Sequence, residues 1–307
     1  MPLPERGIVV PLVSPLRDDG SFDADSEGSL ISHVVDAGVK GVLVLGSSGE
    51  SGALAAEQRY ELAARAVSAA AGRCHVMIGV AALGTLDAVH DARHFEEAGA
   101  DSLLAPLPFM FTPSSEETKA HFERIADAVS VPVVAYDVPS RVRVALSPRL
   151  VAELASAGTI AGVKDSSNDL GKQRTLVEQT RDIEGFVRCT GSEEAIDGLL
   201  LSGFHVPMPG LANVFPHLHV ALAELAGDGD WTAASARQGE IVDLLDLYAA
   251  PLAGGTPVAA FFASVKEALR QLGVIESSRT SFPFTQADDA LIAHVSAVLD
   301  RARALAA

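Results

Sequence analysis

Three segments of this chain carry side chains that could together perform imine chemistry on a carbonyl compound. They are the turn at residues 46–50 (Gly-Ser-Ser-Gly-Glu), Tyr136 and Lys164. A lysine amine attacks a carbonyl carbon, a phenol can carry protons, and hydroxyl and backbone N–H groups can bind a carboxylate. Each segment directly follows a short apolar run typical of a buried strand, at residues 42–45, 133–135 and 160–163. We therefore expect the three to meet at one end of a parallel sheet.

Lys164 is the candidate nucleophile. The chain has five lysines, and only Lys164 directly follows an apolar strand-like run. A lysine at that place loses part of its hydration, which favours the uncharged amine. Lys40 lies at the start of a predicted strand, so we expect it at the opposite end of the sheet. The alternative for Lys164 is a strand-end lysine that pairs with Asp165 or another nearby carboxylate.

Tyr136 and the turn at residues 46–50 carry weaker signals when each is taken alone. Tyr136 is one of three tyrosines and ends its apolar run. Its alternative role is that of an interface tyrosine whose hydroxyl takes any convenient partner. The turn lacks the Lys-Ser/Thr ending of a nucleotide-binding P-loop, and its N–H groups and hydroxyls favour a carboxylate or phosphate ligand.

Short apolar runs alternate with amphipathic stretches over most of the chain, which predicts βα units and a parallel sheet. The predicted strands are residues 8–13, 42–45, 76–79, 102–105, 133–136, 160–164, 186–190 and 205–208. The predicted helices between them are residues 24–37, 55–70, 85–98, 115–129, 147–157 and 193–201. Eight such units predict an α/β fold, a (β/α)8 TIM barrel, at residues 1–226. Later helical patterns lie at residues 214–226, 231–247, 259–272 and 288–304, and the last three predict a C-terminal helical domain at residues 227–307.

Composition excludes several classes of partner. The formal net charge is −17 and no Lys/Arg-rich run occurs, which argues against nucleic acid and anionic membranes. Two cysteines without a CxxC motif, no signal-peptide pattern and no apolar stretch of about 20 residues predict a cytoplasmic protein. The sequence has no HExxH motif, carboxylate cluster or Rossmann fingerprint, so neither a metal nor an organic cofactor is predicted.

The motifs, in their order along the chain, resemble the dihydrodipicolinate synthase / N-acetylneuraminate lyase family of class I, Schiff-base-forming lyases. They lie at residues 11–16, 19–23, 46–50, 99–101, 136–141, 162–166, 191 and 209–213. The resemblance covers nearly the whole chain. It implies a TIM barrel with a C-terminal helical domain, and a homotetramer or homodimer. It also implies a small-molecule 2-oxo acid and an aldehyde as reaction partners.

The resemblance also implies roles for individual residues. Lys164 would form the imine with pyruvate or a longer 2-oxo acid, and Tyr136 would be the general acid and base. Ser47 and Ser48 would bind the substrate carboxylate, and Ser47 would also relay protons to Tyr136. The backbone of Gly191 and the side chain of Met208 would line the pyruvyl end.

Four further positions bear on the choice of substrate. Synthase-like members carry two consecutive tyrosines after the fourth strand, whereas this chain has Phe-Met-Phe at residues 109–111, so Met110 replaces a hydroxyl that reaches a neighbouring subunit. Arg141 matches an arginine that meets a second carboxylate; its alternative is solvent exposure beside Arg143. Glu193 and Ser166 could contact substrate hydroxyls. Glu193 could equally belong to the acidic first turn of the next helix.

These observations favour a class I aldolase or lyase that cleaves or builds a 2-oxo acid with pyruvate, on a sugar-acid or dicarboxylate-type substrate. A dehydratase of keto-deoxy sugar acids is the first alternative, because the same imine can lose a β-hydroxyl as water. A 4-hydroxy-tetrahydrodipicolinate synthase is the second, and Met110 counts against it. A keto-acid binder that has lost catalysis is the non-enzyme alternative, and the presence of the lysine nucleophile counts against that.

Overall fold

The computed structural model describes residues 1–80, 82–108, 110 and 112–305 of this chain. Its centre is a parallel eight-stranded sheet in which each strand pairs with the next along the chain. The strands are β1 (Val9–Pro11), β2 (Gly41–Val44), β3 (His75–Gly79), β4 (Ser102–Pro106), β5 (Val133–Asp137), β6 (Gly162–Asp165), β7 (Val187–Thr190) and β8 (Val206–Pro207). Each of the eight predicted strands overlaps one of these, and the sheet curls into a nearly closed barrel, which confirms the predicted TIM barrel.

Helices surround the barrel and continue after it. They are α1 (Ala24–Asp36), α2 (Ala56–Ala70), α3 (Thr85–Glu97), α4 (Ser115–Ala126), α5 (Pro139–Val142), α6 (Pro148–Ser156), α7 (Leu170–Thr180), α8 (Ile196–Ser202), α9 (Pro216–Gly227), α10 (Trp231–Leu244), α11 (Pro257–Gln271) and α12 (Asp289–Leu305). The predicted helices correspond to ten of these. Helix α7 and the single turn α5 were not predicted. Among the described residues, no helix combines the length and the apolarity needed to span a bilayer.

Side-chain caps explain where many of the helices begin. The cap residue accepts a hydrogen bond from a backbone N–H in the first turn, which satisfies a group that has no partner inside the helix. Asp23, Ser114, Ser147, Asp169, Asp230 and Thr256 do this for α1, α4, α6, α7, α10 and α11. All residues of the eight strands are buried, as expected for strands covered on the outside by helices and packed inside the barrel.

The side chain of Asn213 bridges the seam between the last strand and the first. It lies in a short 3₁₀ helix, Gly210–Asn213, that follows β8, and it is fully buried. Its Oδ1 accepts a hydrogen bond from the backbone N–H of Val13 at 3.1 Å, and its Nδ2 donates to the carbonyl of Pro11 at 2.9 Å. Nδ2 also donates to the carbonyl of Gly210 at 2.8 Å. One amide therefore substitutes for strand pairing at this seam.

The helices after β8 pack on one another and against the barrel mouth. Helix α9 packs along α10, and α11 packs along α12. The predicted division between residues 226 and 227 falls at the end of α9, which contacts helices on both sides of it. That boundary therefore stays a prediction.

We expect the substitution Asn213→Ala to lower the midpoint of thermal unfolding by several degrees. It leaves the Val13 N–H and the Pro11 carbonyl without partners in a buried place, which costs about 1–3 kcal/mol. Differential scanning calorimetry measures the effect. The control is Gln179→Ala, which removes an exposed amide from α7. Equal midpoints for the two variants would contradict this account of the seam.

Candidate active site

The pairing of β5 with β6 places Tyr136 directly beside Lys164. The two residues are partners in the strand register, and the Lys164 Nζ lies 4.8 Å from the centroid of the Tyr136 ring. The Tyr136 hydroxyl lies 3.4 Å from the Oγ of Ser47. The structure thus brings together the amine, the phenol and one hydroxyl, which lie on three separate segments of the sequence.

This cluster is nearly closed to solvent. Lys164 is 4% exposed and Tyr136 is 7% exposed. Burial acts to raise the pKa of the Tyr136 phenol, but the positive charge of Lys164 opposes it. Hydrogen bonds from Ser47 and Ser166, and the charge of Arg141, act in the same direction as Lys164, and the net pKa of Tyr136 lies below its usual value. Such a phenol releases its proton more readily than an ordinary tyrosine.

The turn at residues 46–50 requires left-handed backbone angles at its flanks and a close approach to β3. Leu45 and Glu50, at its two ends, have left-handed backbone angles, with φ of 57° and 55°. The carbonyl of Leu45 lies so close to Gly79 that a Cβ there would come within 2.3 Å of its oxygen, so β3 needs a glycine at that point. The resulting turn leaves Ser47 and Ser48 half-buried at the barrel mouth. Their hydroxyls can reach a ligand there.

The C-terminal helices hold this turn through Glu50. The Glu50 carboxylate is buried and forms an ion pair with Lys266 of α11, which is itself fully buried. The other carboxylate oxygen accepts hydrogen bonds at 2.6 Å from both the backbone N–H and the hydroxyl of Ser281. Glu27 on α1 is also near Lys266, and burial raises the pKa of its carboxyl to about 8. Sequence reasoning did not find this cluster, because its members are spread over more than 250 residues.

A second buried ion cluster lies behind Tyr136 and Lys164. Asp137 and Asp165 directly follow them, and both carboxylates pair with Lys172 of α7, Asp165 at 3.2 Å. Asp165, the carboxylate considered as an alternative partner for Lys164, is therefore engaged by another lysine. Its Oδ1 also accepts a hydrogen bond from Gln173 at 3.0 Å. Strand periodicity could have indicated this cluster, because residues that follow inward-facing side chains point outward toward the helices.

Gly191 and Ser166 lie against the lysine, as expected from the resemblance. A Cβ on Gly191 would come within 3.4 Å of the Cε of Lys164 and within 2.2 Å of the Oγ of Ser166. The chain therefore needs a glycine there to leave room for the Ser166 hydroxyl, whereas the distance to Lys164 is an ordinary van der Waals contact. Met208 is 2% exposed, and its backbone N–H donates to the carbonyl of Thr190 at 2.7 Å.

The remaining predicted substrate contacts differ in their placement. Arg141, on α5, is exposed and lines the cleft above Tyr136. Met110 is 67% exposed, and its neighbours at positions 109 and 111 lie outside the described residues. The interpretation that Glu193 belongs to the acidic first turn of the next helix is wrong, because α8 begins only at Ile196.

Glu193 instead contacts the C-terminal helices and the chain after β8. Its carboxylate accepts hydrogen bonds from the Leu211 N–H at 2.9 Å and from the Tyr248 hydroxyl at 3.1 Å. Both contacts are within the protein, so they assign Glu193 a bracing role between β7 and the last helices. Its predicted contact with substrate hydroxyls stays a prediction.

The comparisons with known proteins all indicate the same family. The sequence profile of the dihydrodipicolinate synthetase family matches residues 4–302. The 4-hydroxy-tetrahydrodipicolinate synthase of Phenylobacterium zucineum (strain HLK1) is 32% identical over 96% of this chain and 96% of its own length. The structure of YagE, a prophage protein of the dihydrodipicolinic acid synthase family from E. coli K12 solved with pyruvate, matches with a TM-score of 0.90 at 26% identity, over 97% of this chain and 98% of that one. The dihydrodipicolinate synthase of Bacteroides thetaiotaomicron matches with a TM-score of 0.91 at 26% identity, over 98% and 100%.

We expect Lys172→Met to destabilise the protein by about 3–5 kcal/mol, because it leaves two buried carboxylates without a cation. Burial already raises the pKa of Asp165 above its usual value. A carboxyl with a raised folded pKa is most stabilising when protonated, and that stability is lost as the pH rises. Removing the cation raises the pKa of the carboxyls further, and burial lowers the pKa of Lys172 to about 8, so the lysine is charged at both pH 5 and pH 7. The defect should therefore be larger at pH 7 than at pH 5, as measured by urea unfolding. Lys119→Met, at a half-exposed lysine on α4, is the control, and a pH-independent defect would contradict the explanation.

Proposed function

Since this chain belongs to the dihydrodipicolinate synthetase family, we propose that it is a class I lyase that forms or cleaves a 2-oxo acid through an imine between Lys164 and pyruvate. The observation that carries the proposal is the contact of Lys164, Tyr136 and Ser47 in one nearly closed pocket. A protein that only binds a keto acid has no need of a buried amine beside an acidified phenol.

In the proposed reaction, the Lys164 amine attacks the ketone carbon of pyruvate, and the ketone oxygen leaves as water. The resulting imine takes up a proton on its nitrogen, and the protonated imine then loses a proton from the methyl carbon and becomes a neutral enamine. That carbon forms a bond to an aldehyde carbon while the aldehyde oxygen takes up a proton. Hydrolysis then releases a 4-hydroxy-2-oxo acid and the free lysine, and the reverse sequence cleaves it. No metal or organic cofactor is needed, because the protonated imine accepts the electron pair.

Tyr136 is the proposed proton carrier for these steps. Its phenol has a lowered pKa and lies between Ser47 and the lysine, so a proton can pass to the departing oxygen and back. Ser47 serves as the relay toward solvent. Gly191 leaves the space that the Ser166 hydroxyl occupies beside the lysine side chain.

The substrate carboxylate is proposed to bind at the turn of residues 46–50. Ser47 and Ser48 supply hydroxyls there, and the turn supplies backbone N–H groups. An anionic substrate must overcome the repulsion of a chain with a net charge of −17, so local cations have to attract it. Arg141, at the exposed rim of the cleft, is the proposed cation. Assembly into a homodimer or homotetramer stays a prediction.

A second candidate function is 4-hydroxy-tetrahydrodipicolinate synthesis, because curated relatives at 30–34% identity carry that name. The methionine at position 110 provides no hydroxyl where synthase-like members have a tyrosine. We therefore expect weak condensation of pyruvate with aspartate semialdehyde. The test measures this condensation by mass spectrometry of the product. Rapid condensation would make the synthase the first candidate function.

We expect pyruvate with sodium borohydride to leave a reduced pyruvyl adduct on Lys164, detected by intact and peptide mass spectrometry. Lys164→Ala should abolish the adduct because the nucleophile is gone. Lys119→Ala removes a half-exposed lysine from α4 and should form the adduct as the unchanged protein does. An adduct that persists in Lys164→Ala, or that forms on another lysine, would contradict the proposed mechanism.

A further inference from the structure

A large cavity adjoins the proposed active site on the side of the C-terminal helices. It shares Ser47, Ser51 and Arg141 with the small cleft above Tyr136. The cleft has a volume of about 30 Å³, whereas the adjoining cavity has about 460 Å³. Small-molecule pockets are usually about 300–1,000 Å³, so the adjoining cavity is in that range and the cleft is not. The larger cavity therefore offers the room for the part of a substrate beyond its pyruvyl end.

The far wall of this cavity is apolar. We call it the vestibule wall; it consists of Val258, Phe262, Phe282, Pro283 and Phe284. Phe262 is buried and packs edge-to-face on Phe284, with ring centroids 5.0 Å apart. Phe282 is 87% exposed, which is unusual for a large apolar side chain beside a pocket and leaves its ring free to cover a ligand.

The vestibule wall is fixed to the carboxylate-binding turn. Ser281 directly precedes Phe282, and both its N–H and its hydroxyl donate to Glu50 at 2.6 Å. Glu50 is the last residue of the turn that carries Ser47 and Ser48, and its carboxylate forms an ion pair with Lys266 of α11. One end of a substrate therefore meets hydroxyls, while the other meets aromatic and aliphatic carbon at a set separation.

We propose that the vestibule wall binds the side chain of the aldehyde partner and that this side chain is apolar, an aryl or branched alkyl group. The proposal rests on the pyruvate lyase function above. The new bond joins the pyruvate methyl carbon to the aldehyde carbon, so the group attached to that carbon lies outside the narrow cleft. The wall offers no side-chain donor or acceptor to a chain of hydroxyls, and desolvating such hydroxyls against it without partners is unfavourable. The polar side chains of the cavity, Ser47, Glu50, Ser51 and Arg141, lie outside this wall. An apolar group on the wall differs from the sugar-acid or dicarboxylate substrate expected from sequence.

The first experiment compares two aldehydes as acceptors for pyruvate, benzaldehyde and glyceraldehyde, at equal concentration, with product formation followed by mass spectrometry. We expect kcat/KM to be at least about tenfold higher for benzaldehyde, the discrimination that an apolar pocket commonly supplies. A preference for glyceraldehyde would overturn the proposal. Borohydride trapping with pyruvate alone, run in parallel, separates this result from a failure of the lyase function, in which no adduct forms on Lys164 and both proposals fall.

Two variants then test the wall itself. Phe282→Ser removes the exposed ring, and Val258→Asp places a carboxylate in the first turn of α11, where a helix accepts it well. Each should lower kcat/KM for benzaldehyde by about tenfold while leaving the pyruvate adduct and the rate with glyceraldehyde unchanged.

Leu86→Ser is the matched control, because Leu86 is 76% exposed on α3, away from the cavity, and should have no effect. Benzaldehyde kinetics that are unchanged in both wall variants would overturn the proposal. So would a loss of self-association in Phe282→Ser without a kinetic change, since the ring would then pack against a second copy of the chain.

Discussion

The register between β5 and β6 is the constraint on which the rest of the site depends. Tyr136 pairs with Lys164 and, one step further, Asp137 pairs with Asp165. Because successive residues of a strand point to opposite faces, one register places phenol beside amine on the inside and carboxylate beside carboxylate on the outside. Slipping one strand by a single residue would exchange the two faces, removing the pocket and burying charges in the barrel.

The same register creates an electrostatic problem that α7 resolves. Two buried carboxylates on adjacent strands repel each other, and Lys172 pairs with both. An ion pair of this kind contributes little net stability compared with apolar packing, but it is costly to break. Its consequence here is geometric. Lys172 pairs with the ends of the two strands that carry the proposed acid–base residue and the proposed nucleophile, and the two carboxylates lie on the other face of the sheet from these residues.

A comparable arrangement connects the C-terminal helices with the substrate. Lys266 and Ser281 both contact Glu50, which is the last residue of the turn that we expect to bind the carboxylate. The segment that supplies Ser281 continues into the apolar wall of the adjoining cavity. Under the proposed binding mode, the helices after the barrel are part of the site, because they set the distance between the carboxylate-binding turn and the apolar wall. The sequence does not indicate this connection, because Glu50 is more than 200 residues from Lys266 and Ser281. In the fold, an ion pair and hydrogen bonds join them directly.

Sequence alone determined the barrel and indicated the candidate reactive side chains. Eight apolar runs separated by amphipathic stretches specify a parallel sheet, since the pattern follows from burying strands on both faces, and Lys164, Tyr136 and Ser47 follow such runs directly. Tertiary structure decided what surrounds them. Three contacts illustrate this: the ion pairs of Lys172 with Asp137 and Asp165, the ion pair of Lys266 with Glu50, and the hydrogen bond from Tyr248 to Glu193. Each joins residues that are far apart in the chain or that lie on opposite sides of a strand. Local periodicity reports which face a side chain takes, but the partner it meets there depends on how distant helices pack, and only the folded chain supplies that.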